Sequence, residues 1–79
     1  LSSFAPEIYR RIIAQLIAAR KDAGLTQADI GQRIGQRQTV ISKIETAERR
    51  IDVAEFIELS KAIGLDPVDV VREIARAKP

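Results

Sequence analysis

Residues 34–45 read IGQRQTVISKIE, a stretch in which amide, hydroxyl and cationic side chains are threaded between isoleucines. In a helix, Ile41 and Ile44 would share one side, with Gln38, Thr39, Ser42 and Lys43 on the other. These polar types suit hydrogen bonding to the edges of nucleic-acid bases. Glutamine can bond adenine through two atoms, arginine and lysine prefer guanine, and a methyl group can touch thymine. Gln38, Thr39 and Lys43 are therefore candidate base contacts, with Arg37 at the entry to the helix and Val40 as a flanking methyl. The bland alternative is a solvated polar face.

Catalysis finds little support in the residue inventory. The chain has 79 residues with no cysteine and no histidine, so thiolate chemistry and the commonest general base and metal ligand are missing. Its Asp and Glu pairs, Glu55 with Glu58 and Asp66 with Asp69, fit helix starts better than a catalytic dyad. No phosphate-binding or dinucleotide motif occurs. The expectation is a protein that is not an enzyme and needs no cofactor or metal. No apolar run nears the roughly 18–20 residues of a membrane span, and LSSFAPE lacks the basic start and apolar core of a secretory signal. A cytoplasmic location, on the nucleoid if DNA is bound, is expected.

Net charge is only +2, but it is unevenly distributed. Residues 1–50 carry nine Lys/Arg against five Asp/Glu, and residues 51–79 carry four against six. The basic half contains the stretch described above, which points to an anionic partner.

The elements that must position these side chains are all helical, because apolar residues recur at three and four positions and nowhere alternate. The spacing predicts five helices in one domain spanning residues 1–79. Helix 1 runs from Pro6 or Glu7 to Ala23, with a core stripe of Ile8, Ile12, Leu16, Ala19 and Ala23. Tyr9, Ile13 and Ile17 form a second stripe beside it. Helix 2 covers Gln27 to Ile34, capped by Thr26 with Asp29 and stopped by Gly35. Gly31 within it is expected to mark close approach of another backbone. Helix 3 covers Arg37 or Gln38 to Thr46, followed by a polar loop. Helix 4 covers Val53 to Ile63, capped by Asp52 with Glu55, and its apolar face is read as Val53, Phe56, Ile57, Leu59 and Ile63. Helix 5 starts at Pro67 behind Asp66, with Val70, Val71 and Ile74 as its stripe.

Two short helices joined by a glycine-containing turn of about three residues are the signature of a helix-turn-helix. In that motif the exposed start of the second helix enters the DNA major groove. Phosphate contacts are then expected from the N-terminus of helix 2, where Gln27 stands, and from Arg49 and Arg50 beyond helix 3. Arg33 is a weaker candidate.

The stretch RKDAGLTQADIGQRIGQRQTVISKIE resembles the helix-turn-helix domain shared by Cro, lambda-type phage repressors and XRE-family regulators. The likeness extends over about Ile12 to Val70, and its strongest words are GLTQADI, IG, ISKIE and AIGLDP. It implies an all-α, five-helix lambda-repressor-like fold and sequence-specific binding of double-stranded DNA by a bacterial or phage transcriptional regulator. By position it implies that Gln27 holds phosphate and that Gln38, Thr39 and Lys43 read bases. It also implies a structural ion pair between Arg20 and Glu45. Three residues depart from the family pattern. Gly31 replaces a usual alanine, Gln36 a small or threonine residue, and Arg37 a serine or threonine cap. Losing that cap costs about 1 kcal/mol, and a cation there opposes the helix dipole, which a DNA contact would explain.

Such regulators usually act as two-fold dimers, so Ile13 and Ile17 are read either as a homodimer seam or as residues covered by the N-terminal arm, which bears Leu1 and Phe4, or by helix 5. The alternative to a regulator is an antitoxin or a purely protein-interaction module on the same fold, with a toxin or another regulator as partner.

Overall fold

The computed structural model describes residues 6–76, and among them five helices and no strand. They are α1 (Pro6–Asp22), α2 (Gln27–Ile34), α3 (Gln38–Glu45), α4 (Val53–Ile63) and α5 (Pro67–Arg76). The helix starts follow from local chemistry. The Thr26 hydroxyl accepts the Asp29 N–H at 3.0 Å while the Asp29 carboxylate accepts the Thr26 N–H at 2.8 Å. Asp52 and Glu55 make the same reciprocal pair at 2.8 and 3.0 Å. Each pair satisfies two N–H groups that a helix start leaves free. At the start of α5, Asp66 accepts the Val68 N–H at 2.9 Å.

The core is a cluster of Ile13 and Leu16 from α1, Ile30 from α2, Ile41 and Ile44 from α3, and Leu59 from α4. Val70 of α5 is also buried. The burial of α1 differs from the expected stripe. Its buried residues are Ile13, Leu16 and Arg20, whereas Ile8 is 47% exposed. Ile13 is therefore a core residue, and Ile17 packs partly buried against the same cluster. Within the single chain, Ile13 leaves only 6% of its surface exposed. Arg20 lies on the same face as Ile13 and Leu16, where it pairs with Glu45. Leu1 and Phe4 lie outside the described residues.

The apolar face of α4 also differs. Val53 is 74% and Ile57 38% exposed, while the small Ser60 is fully buried. Val71 of α5 is exposed as well. Together with Ile8 and Val68 these residues leave an apolar surface over α1, α4 and α5, with Tyr9, Ile12 and Phe56 lining a groove within it.

Gly31 makes the close approach expected of it. A Cβ at this position would sit 2.5 Å from the carbonyl oxygen of Gln36. The Gly31 carbonyl accepts from the N–H groups of both Gly35 and Gln36, the latter at 2.8 Å. Gly35 follows in the left-handed region at φ 71°, which suits glycine and ends α2. The turn between α2 and α3 thus folds directly onto the glycine.

Candidate nucleic-acid interface

α3 divides into two faces. At about 100° per residue, Ile41 and Ile44 point together into the core, and Gln38, Thr39 and Lys43 fall within an arc of about 140° on the far side. Ile41 is 2% and Ile44 4% exposed, whereas all three polar residues are exposed. Val40 differs from expectation. It is half-buried against the core cluster, on the flank facing Ile34, so its methyl groups are used in packing.

Arg37 occupies the N-cap of α3 with φ −73° and ψ 152° and makes no side-chain cap bond. The helix start is left without the acceptor that Ser, Thr, Asp or Asn would supply. Neither Arg37 nor Lys43 enters an ion pair among the described residues. Both cations are exposed beside the outward face.

Behind this face lies a polar chain running from α1 to α3. Arg20 and Glu45 form the ion pair implied by the resemblance, with Nε donating to Oε2 at 2.7 Å and Nη2 to Oε1 at 3.0 Å. Arg20 Nη1 donates to the Leu25 carbonyl at 2.8 Å, so the guanidinium also ties down the link before α2. The side chains are only 11% and 14% exposed. Gln27, in the first turn of α2, donates from Nε2 to Glu45 Oε1 at 2.9 Å. Gln38 then donates from Nε2 to Gln27 Oε1 at 3.4 Å, a long and exposed link. No sequence signal joins Gln27 to Glu45, which are 18 residues apart.

Arg49 and Arg50 have partners within the domain. Arg49 grips Glu55 with contacts of 2.7 and 3.3 Å, joining the loop after α3 to the start of α4. The bond to Glu55 raises the Arg49 pKa, and the bonds from Arg49 and the Asp52 N–H hold the Glu55 carboxyl below its ordinary value. A phosphate role for Arg49 would require giving up this pair. Arg50 stacks over the Tyr9 ring, 4.0 Å from its centroid, and its guanidinium enters no ion pair among the described residues. Arg33 donates to the Ala62 carbonyl at 2.6 Å near the end of α4, a structural use. In the same loop, Ala47 adopts a left-handed backbone at φ 66°, the one non-glycine to do so among the described residues.

A helix-turn-helix family model matches residues 16–70. The uncharacterized HTH-type transcriptional regulator y4dJ of Sinorhizobium fredii is 35% identical over 52 residues, covering 66% of this chain and 68% of the relative. Among solved structures, an XRE-family like protein from Pseudomonas syringae pv. tomato str. DC3000 is similar with a TM-score of 0.89 and 37% identity. That likeness covers 92% of this chain and 89% of the other. The packed α2–turn–α3 unit and the family match agree: the chain belongs to the XRE-type helix-turn-helix family.

Proposed function

We propose that this helix-turn-helix DNA-binding regulator reads its operator with the outward face of α3. Gln38, Thr39 and Lys43 contact base edges in the major groove, and Arg37 reaches a base or phosphate from the helix entry. The observation that carries this reading is the division of α3. Its isoleucines are almost wholly buried, whereas its amide, hydroxyl and cationic side chains are exposed beside an uncapped arginine. Gln27 and the N–H groups at the start of α2 hold phosphate, and Arg50 supplies a further cation. Regulation follows from occupancy of the site.

The test is selection of duplexes from a random library, followed by substitution. Lys43→Ala and Gln38→Ala should each relax preference at particular base pairs, whereas Gln27→Ala should weaken binding to every sequence through the lost phosphate contact. Base preferences unchanged in both α3 variants would refute base reading by these residues.

A two-fold dimer, where one forms on DNA, has its apolar surface at Ile8, Val53, Ile57, Val68 and Val71. Val68→Glu should then lower the mass measured by sedimentation. A monomer in both forms, with and without operator, would exclude that seam.

A further inference from the structure

We infer that Glu45 is a positioning residue for base reading: acting through Gln27, it sets which way round the amide of Gln38 is presented. The inference rests on the proposed contact between Gln38 and a base.

The polarity of the chain comes from its buried end. The Glu45 carboxylate, paired with Arg20, can only accept. Arg20 holds it by two bonds, and the third arm of the guanidinium is held by the Leu25 carbonyl. Gln27 must therefore turn its NH2 group toward Glu45, as it does at 2.9 Å, because the flipped amide would set two oxygens against each other. The carbonyl oxygen of Gln27 is then left facing Gln38. An oxygen there can only accept, so Gln38 brings its own NH2 group to it, at 3.4 Å.

One of the two N–H bonds of Gln38 is used in this contact. One N–H and the carbonyl oxygen remain for an external partner. That set matches the major-groove edge of adenine, which offers N7 as acceptor and the N6 amino group as donor. If Gln27 and Gln38 flipped together, Gln38 would turn its oxygen inward and present two N–H groups. Those would match guanine, whose O6 and N7 both accept. Glu45 selects the first arrangement, although it lies on the protected side of α3 and touches no base. The last link is long and exposed, so it biases the amide and does not lock it.

The experiment compares base preferences of the full chain and three variants by library selection and competition binding. Gln38→Ala first identifies the base pair that Gln38 reads. At that pair, Gln27→Leu and Glu45→Gln should each lower the preference for adenine over guanine by about 3- to 10-fold, the scale of one exposed hydrogen bond. Preferences elsewhere should hold, since loss of a phosphate contact or of stability scales all sequences together. Gln27→Leu leaves the Arg20–Glu45 pair intact, so it decides the matter if Glu45→Gln does not fold. Retention of the adenine-to-guanine ratio in Gln27→Leu, while Gln38→Ala lowers it, would overturn the role of Glu45 alone. If Gln38→Ala relaxes no base pair, base reading by Gln38 fails, and this inference fails with it.

Discussion

Gly31→Ala sets helix propensity against packing. In an exposed helix interior the change would stabilise by about 1 kcal/mol. Here the new Cβ would meet the Gln36 carbonyl oxygen at 2.5 Å, against 3.4–4 Å for an ordinary van der Waals contact of a Cβ. The obstructing atom belongs to the backbone of the turn, so no side-chain rotation relieves it. The turn must move, and the 2.8 Å bond from Gln36 N–H to the Gly31 carbonyl is strained or lost with it. Overpacking of this kind costs about 1–3 kcal/mol, and the upper part of that range applies where main chain must shift. Net destabilisation of about 1–2 kcal/mol is expected, or about 5–15 °C in Tm for a domain of this size. Urea denaturation followed by helical circular dichroism measures it directly. The same shift moves α3 relative to α2, so operator affinity should fall by more than the loss of folded protein explains. A variant as stable as the parent or more so would refute this view of the turn.

Other perturbations separate stability from binding. Arg37→Ser should stabilise by about 1 kcal/mol by restoring a cap and removing a cation from the positive end of α3. It should weaken operator binding at the same time, and unchanged affinity would remove Arg37 from the interface. Ala47→Gly should stabilise by about 1 kcal/mol, because an alanine at φ 66° pays a steric cost that glycine avoids; a lower urea midpoint would contradict this. Acid should act through Asp29 and Glu55. The Thr26 N–H lowers the Asp29 pKa, and the bond from Arg49 lowers that of Glu55. Each folded value lies below its unfolded one, so the stability they contribute is complete above the unfolded values, near pH 4–4.5, and is lost as pH falls through the folded values. The urea midpoint of Glu55→Gln should therefore fall less steeply below about pH 4.5 than that of the parent, and an identical acid limb would show the pair to be irrelevant.

How much of this was legible in the sequence depended on whether the chemistry was local. The Thr26–Asp29 and Asp52–Glu55 caps and the stop at Gly35 were read correctly, because each involves residues a few positions apart with specific donors and acceptors. The burial of α1 was misjudged because apolar spacing alone cannot put an arginine on the buried face, where Arg20 pairs with Glu45. The face of α4 was misread for a related reason. Val53 and Ile57 are apolar but have too little neighbouring structure to cover them, while Ser60 is buried because it lies at the packed contact. Its hydroxyl has no partner there, which no hydropathy pattern would choose. The link from Gln27 to Glu45 and the stacking of Arg50 on Tyr9 arise from tertiary placement and left no trace in spacing. The outward set of Gln38, Thr39 and Lys43 was visible because two isoleucines three residues apart fix which side of so short a helix is buried.

The central claim is that α3 recognises DNA sequence as well as DNA charge. Fluorescence anisotropy with a selected operator and with random duplex, each at about 50 and 200 mM salt, tests it most directly. Random DNA should bind weakly, with affinity falling steeply as salt rises, because counterion release drives that term. The operator should bind about 10³-fold tighter or more at the higher salt. Equal affinity for operator and random duplex at both salt concentrations would contradict the claim.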